Sequence, residues 1–495
     1  MISKCMEEIS LQNLRSVFVN IVLNILKILF LALFLGTGLL MISFGKGINL
    51  TTVLFTIVFG VIIFIIYRTI INKSLRLRNK IILIMFIGLI LRILWLVNVN
   101  TQPYSDFETL YNGAIGLINN DNTVFTGVNY IARFPHLSYM IVYMALIMKV
   151  FGEAVLTIKI GNIIFSVITM FLVYKVALEV FEKENLALIS LGISAIFTPM
   201  ITYVGVLATE NIAIPFYLAS IYFFIRAIKN DLSIKLLLAS AILLSVGNLF
   251  RMVAVIMVIA YVMYILIFED SKLIKKIKGS MTIILAFTIV LFLGSSLLKS
   301  LNITEVHLWK GREPAVTNIL KGSNIESFGR FNDEDAAIPE QYNYDYDKVK
   351  EASLEIIKER LTTTSPIRLA IFYSGKFIGQ WGQGDMSGIS WSESGAEKIG
   401  VINSENSKVV VQLIYMIIIF LSLLSLFNKK RISGENSIMN LFYIILCGYG
   451  CFYLISEMQG RYAYIACWLF VIFATSGVER VNEYISNKKE TQKKI

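Results

Sequence analysis

Acids, arginines and tyrosines that could do chemistry in this 495-residue chain sit in short breaks between long apolar runs. The first break reads Pro103-Tyr-Ser-Asp106-Phe-Glu108-Thr-Leu-Tyr111. Asp106 can serve as a general base, or as a first-turn acid stabilise a helix dipole by about 1 kcal/mol at most. Ser105 and Glu108 have the spacing of a capping box, which gives Glu108 a structural use. Arg133 and His136 flank Pro135 and place a fixed cation and a titratable imidazole beside one loop. That combination suits a phosphate; a cation resting at the level of lipid headgroups is the plainer alternative. Glu210 in Ala-Thr-Glu-Asn and Arg251 in Asn-Leu-Phe-Arg each interrupt apolar sequence, where ionisable residues are functional by default. A structural Glu210 to Arg251 pair competes with that reading. In Glu457-Met-Gln-Gly-Arg461-Tyr462 the acid and arginine have the spacing of a helical ion pair. Lys376 and Trp381, with Trp391 beyond, could hold a sugar or anchor to headgroups.

The elements that must position these residues are membrane helices. The chain is 56% hydrophobic and 16% charged, with mean hydropathy +0.70; soluble domains run at about 25% charged. About twelve stretches meet the length of a helical span. They lie near 17–44, 51–71, 81–99, 154–181, 186–207, 211–228, 234–250, 252–268, 281–298, 409–427, 437–456 and 461–478. The net charge of +11 comes from short runs between spans, such as Arg68 to Lys80, Lys272 to Lys278, Lys429 to Arg431 and the tail from Lys488. Topology explains this charge better than nucleic acid does, and the positive-inside rule puts these runs and both termini in the cytoplasm. Leu137 to Phe151 is apolar but short; crossing there would send later basic runs to the wrong side, so it is expected to be an interfacial or re-entrant helix on the outer face. Residues 107, 110, 111, 114, 115 and 118 form an apolar stripe on a second interfacial helix.

Five regions follow: a two-span hairpin (1–80), a membrane module (81–298), an extracytoplasmic segment (299–408), a three-span group (409–478) and a basic tail (479–495). Cys447, Cys451 and Cys467 lie in apolar segments and Cys5 near the amino terminus, an arrangement without a loop pair to oxidise. Cys447 and Cys451 share a helix face with no third ligand, which favours packing over metal binding. Asp333-Glu-Asp335 and Asp345-Tyr-Asp347 lack the calcium-loop pattern and are expected to be solvated surface.

In this topology the reactive candidates gather outside, where cytosolic nucleotide sugars and ATP are absent. A donor there must be carried by a lipid or be supplied by the substrate itself, and a polyprenyl carrier fits a chain that is mostly membrane. The charged and aromatic first loop, the Arg-Phe-Pro-His136 element, the short helix ending Lys-Val-Phe-Gly152 and the acid-x-x-x-Arg-Tyr turn ending at Tyr462 together resemble the GT-C glycosyltransferases. The likeness is greatest to relatives of protein O-mannosyltransferase and lipid A aminoarabinose transferase, and covers residues 81–270 plus the last turn. It implies an all-α polytopic fold, a bundle of about twelve helices with outer interfacial helices. It also implies inverting transfer of a hexose or pentose from a polyprenyl-phosphate donor to a cell-envelope glycan, lipid or protein at the plasma membrane, and the Ile, Lys and Asn bias of the chain points to a bacterial source. Asp106 matches the essential first-loop acid and would be the general base, with Glu210 where a second acid often lies. Arg133, His136, Arg251, Arg461 and Lys376 would face the lipid phosphate, and Glu108, Tyr111, Glu457, Tyr462 and Trp381 the substrate. Metal dependence varies in the family, which leaves room for a divalent ion, but no metal ligand is assigned. The chain departs from the family in its extra amino-terminal hairpin and in Asp-Phe-Glu replacing adjacent Asp-Glu. Residues at i and i+2 of a helix point to different faces, so a single acid of the two is expected in the site. A transporter or flippase is the alternative class; its marks would be ionisable groups near the midplane and related halves, whereas here the charges lie at outer ends and no repeat is present.

Overall fold

The computed structural model describes residues 2–44, 48–432 and 438–494, and helix dominates them. Eight helices are long and apolar enough to cross a membrane: Arg15–Phe44, Leu50–Ile71, Leu77–Asn98, Val155–Phe181, Glu210–Lys229, Leu273–Ser300, Ser404–Ser425 and Gly460–Lys488. Counting each of two bent pairs as one span raises the number to ten among the described residues. The protein is therefore an all-α polytopic membrane protein. Three more of the expected spans are occupied by shorter apolar helices, Ile234–Phe250, Val255–Phe268 and Met439–Ile455. Burial ranks the helices: 89% of the apolar window of Gly460–Lys488 is covered, against 11% for Leu50–Ile71. The carboxy-terminal helix is thus the axis and the second helix of the hairpin a lipid-facing edge.

The expected span at 186–207 is broken. Its helix runs Glu184–Ile196, and Pro199–Gly205 continues after a bend of 60°. Pro199 supplies no N–H and begins the new turn, where its fixed φ is tolerated. Non-helical backbone at membrane depth survives only where protein groups satisfy it, and here buried side chains do so one carbonyl at a time. Arg92 donates to the carbonyls of Ser194 and Ala195 at 3.3 Å, Ser166 Oγ to Met200 at 2.8 Å and Trp95 Nε1 to Thr202 at 2.9 Å. Asn162 serves Val204 and Val206, and Asn211 serves Tyr203 and Val206, each at 2.9 Å. The outcome is a buried loop that delivers Glu210 to the start of the next helix.

At the same end of the bundle lie Asp106–Ile118 and Ser138–Phe151. The expected stripe packs through Phe107, Leu110 and Ala114 against Ile141 and Met144 of the second helix, in the main core. That second helix follows a 110° bend at Arg133 to Pro135. The capping box does not form: Ser105 sits at φ 55, its side chain makes no cap bond, and Glu108 is exposed. A left-handed residue swings its hydroxyl out of reach of the first-turn amides.

Residues 301–403 form a helical cap over that end. A two-stranded ribbon pairs Val99 with Ile399 and Asn100 with Lys398 in antiparallel register. Asp335 departs from the expectation of solvated acids: it is 1% exposed and binds Arg360 at 2.7 Å, Asn332 at 2.9 Å and Asn324 at 3.1 Å. Those bonds replace its lost hydration. The opposite end of the bundle gathers the basic loops, with Arg15 on Asp270, Lys183 and Arg431 on Glu479, and Lys229 on Glu182.

The cap grips the turn at 456–460. Met458 N–H donates to the Gly329 carbonyl at 2.6 Å, Glu457 N–H to Asn318 at 2.9 Å and Gln380 to the Gln459 carbonyl at 2.7 Å. A Cβ on Gly322 would meet the Ile455 carbonyl oxygen and the Ser456 carbonyl carbon at 2.4 Å. Gly322→Ala is expected to lower the thermal unfolding midpoint of the detergent-solubilised protein, overpacking of this kind costing about 1–3 kcal/mol. Gly450→Ala, where a Cβ meets nothing within 4 Å, should be neutral or slightly stabilising. Equal midpoints for the two variants would show that this contact does not hold the turn.

Candidate active site

Four elements converge on one polar cluster. Asp106 opens its helix, Glu210 opens Glu210–Lys229, Arg251 sits in the turn before Val255–Phe268, and Arg461 and Tyr462 belong to the 3-10 turn Gly460–Ala466. Each acid is therefore at a helix amino terminus, where backbone amides favour negative charge. Arg461 approaches Asp106 at 3.6 Å, and Arg251 approaches Glu210 at 3.4 Å. The two pairs meet across Tyr462, whose ring centroid is 5.0 Å from the Arg251 guanidinium and 5.4 Å from that of Arg461. Arg461 also lies over Phe107 at 5.0 Å and Trp391 at 5.1 Å. A planar cation among three rings is fixed in orientation and shielded from water.

The pairs are close but not closed. Arg251 Nε and Glu210 Oε1 face each other at 3.4 Å without closing a hydrogen bond, and Arg461 Nε is buried without a hydrogen-bond partner among the described residues. Buried charged groups are ordinarily hydrogen-bonded, so Arg461 Nε retains unused capacity for a ligand. Glu210 is 2% exposed at its side chain and Asp106 35%; Thr209 Oγ1 donates to Glu210 at 3.1 Å. The structural-pair and active-site readings of Glu210 and Arg251 thus describe one arrangement. The expected helical pair of Glu457 with Arg461 is absent, because the chain at 456–459 is extended. Glu457 accepts from Gln459 Nε2 at 2.7 Å instead, and Arg461 turns to Asp106.

Tyr130, which no spacing in the sequence singled out, hydrogen-bonds the Asp106 carboxylate; burial first, and that acid second, raise its phenol above the ordinary value. His136 lies close enough to Arg251 to feel its charge. Burial, reinforced by that guanidinium, pushes the imidazole down to about 4, so it is neutral at pH 7. Arg133 is elsewhere engaged: Glu313 accepts from its Nε at 3.0 Å and its Nη2 at 2.7 Å, tying the bend at Pro135 to the cap. Lys376 is buried, donates to the Gly322 carbonyl and is pushed down to about 8 by burial, with Glu457 opposing. Trp381 is 2% exposed and packs beside Tyr453 and Phe470. Glu108 faces solvent, while Tyr111 is half-buried, its phenol raised by burial and by Glu153. The cluster thus unites Asp106, Glu210, Arg251, Arg461, Tyr462 and His136, whereas Arg133, Lys376 and Trp381 hold the surrounding scaffold. Among the described residues no group of three or more His, Cys, Asp or Glu is placed to hold a metal ion.

Residues 135–294 match the family model of dolichyl-phosphate-mannose-protein mannosyltransferases. The match supports a membrane glycosyltransferase of the GT-C superfamily. No curated protein matches the chain. The matched stretch includes His136, Glu210 and Arg251, and the polar cluster is completed by Asp106 and Tyr130 before it and by Arg461 and Tyr462 after it.

The environment of His136 gives a pH test. An imidazole held near 4, against an ordinary 6.5, refuses a proton that the unfolded chain accepts, so stability falls as pH drops from 6.5 towards 4. Thermal unfolding midpoints of wild type at pH 7.5, 5.5 and 4.5 should decline more steeply than those of His136→Asn. Parallel declines would show that this imidazole titrates normally.

Proposed function

We propose that the protein transfers a sugar, with inversion, from a polyprenyl-phosphate donor to a cell-envelope acceptor at the outer face of the plasma membrane. The observation that carries the reading is the pair of buried guanidiniums, Arg251 and Arg461, meeting at Tyr462 with an acid against each. Basic loops gather at the opposite end of the bundle, which supports a cytoplasmic position for that end and an outer position for the cluster, where a lipid carrier is the available sugar source.

In this reading the lipid phosphate lies between the Arg251 and Arg461 guanidiniums, with Arg461 Nε, which lacks a hydrogen-bond partner among the described residues, turned to it. The acceptor hydroxyl gives its proton to Asp106 while its oxygen forms a bond to the anomeric carbon. The bond from that carbon to the phosphate oxygen breaks, and its electrons leave on the lipid phosphate. The proton gained by Asp106 offsets the charge gained by the phosphate, so the cluster's total charge is the same before and after transfer. Electrostatic stabilisation by fixed groups then requires no reorganisation at the transition state. Glu210, too covered to meet an acceptor, holds Arg251; Tyr130 holds Asp106.

The test uses protein reconstituted in lipid and measures polyprenyl phosphate released from a panel of polyprenyl-phosphate hexoses and pentoses with envelope acceptors. Wild type should turn over one donor, and Asp106→Asn, still binding it, should lose at least about a hundredfold in kcat, the scale of a general base. Release from no donor by wild type, or full activity in Asp106→Asn, would overturn the assignment. Arg461→Lys keeps the charge but loses the planar fit between the rings, and about a tenfold loss in kcat/KM is expected.

A further inference from the structure

A second polar site adjoins the cluster. A cavity of about 230 Å³ opens between the 383–393 stretch, the end of the first helix at Phe44 and the start of Ser404–Ser425. Its walls carry Asp385, Glu393, Gln383, Ser387, Ser390 and Lys408, a polar set in a chain that is 56% hydrophobic. The size would admit roughly eight waters at about 30 Å³ each, or a single sugar ring.

The chemistry narrows the ligand. Asp385 and Glu393 share the walls with a single ammonium, Lys408, and burial raises the Asp385 carboxyl, so a further negative charge beside it is disfavoured and an anionic ligand does not fit. Acids, amides and hydroxyls together are donors and acceptors suited to a ligand that offers both, which is what a polyol does. The Phe44 ring, with Lys408 Nζ 5.8 Å from its centroid, adds one apolar face. Among the described residues no metal-binding group of three occurs here.

The walls are also continuous with the catalytic cluster. Ser387 Oγ, which donates to Gln383 Oε1 at 2.9 Å, lies so close to Gly460 that a Cβ there would meet it at 2.5 Å, and Arg461 is the next residue. Ser390 precedes Trp391, whose ring faces Arg461. We infer that this cavity binds a saccharide unit of the acceptor, one removed from the unit whose hydroxyl meets Asp106, so that the acceptor is a glycan of at least two units. This rests on the transferase reading above and specifies the acceptor class.

Two measurements separate the inference from that reading. The first needs no donor: saturation-transfer NMR on the full chain in nanodiscs, with gluco-, manno- and N-acetylglucosamine di- and trisaccharides beside their methyl monosaccharides. A di- or trisaccharide should bind wild type, and about tenfold more weakly to Ser390→Phe, which fills the cavity from an exposed position, and to Glu393→Gln, which keeps the shape and reverses one acceptor. The second is the polyprenyl phosphate release assay, in which Ser390→Phe should raise KM for the same oligosaccharide about tenfold and leave transfer to the monosaccharide and donor hydrolysis unchanged within about twofold. Absence of oligosaccharide binding to wild type, or binding unaffected by Ser390→Phe, overturns the acceptor site whatever the donor does. Oligosaccharide binding lost in Ser390→Phe, with no donor consumed by wild type, would keep the saccharide site and remove the donor reading.

Discussion

Backbone polar groups cannot be left bare in hydrocarbon, and this constraint governs how the protein brings charged groups together at one end of a helical bundle. A continuous helix satisfies its own amides and presents nothing. To place Glu210 in a cluster with Arg251, the chain breaks the helix that ends at Ile196 and threads a buried loop. Each freed carbonyl then needs a donor from a neighbouring helix. Arg92, Trp95, Asn162, Ser166 and Asn211 provide them. Polar residues facing the bundle interior, which add nothing to membrane partition, thus define where the loop can exist. Their placement makes the loop rigid, and a rigid loop fixes the acid.

The same logic extends to the cap. The chain just before Arg461 is extended, so its amides at Glu457 and Met458 and its carbonyl at Gln459 look outward for partners. Asn318, Gly329 and Gln380 of residues 301–403 meet them. Arg133, held by Glu313, keeps the cap against the bundle, while Lys376, buried against the Gly322 carbonyl, ties two segments of the cap to each other. The cap is therefore part of the cluster's geometry although it supplies few of its charges. Trp391 is its direct contribution, one of the rings that orient Arg461.

Legibility in the sequence follows the range of the signal. Hydropathy is local and summed over many residues, so the apolar helices and the amphipathic stripe on Phe107, Leu110 and Ala114 were readable. A break such as that before Pro199 is not, because hydropathy stays high across it and only tertiary donors make it tolerable. The acids and arginines at span ends stood out as charges in apolar context, and four of them, Asp106, Glu210, Arg251 and Arg461, do meet, with His136 near Arg251. Their pairing was not readable. Spacing suggested Glu457 with Arg461, and the structure pairs Arg461 with Asp106, some 350 positions away in the chain. Arg133 and Lys376 looked equivalent to Arg251 in the sequence; what distinguishes them is Glu313 and Gly322, which only the folded cap brings near. Tyr130 carried no signal, since one tyrosine among 23 is not marked by type.

Exposure decides the division of labour between the two acids of the proposed transfer. A general base must reach the proton it takes and must change charge during the reaction. Asp106 keeps a third of its side chain open and is hydrogen-bonded by Tyr130. When it is protonated, Arg461 loses one negative neighbour as the phosphate beside it gains a negative charge, and the guanidinium stays balanced. Glu210 has neither access nor such compensation: it is 2% exposed, and neutralising it would leave Arg251 buried without its counter-charge, a costly state in a low-dielectric site. The Glu210 carboxylate beside Arg251 keeps that guanidinium at a fixed place. One acid is therefore placed to meet an acceptor and the other to hold a cation, a difference set by how far each helix start is covered by the bundle.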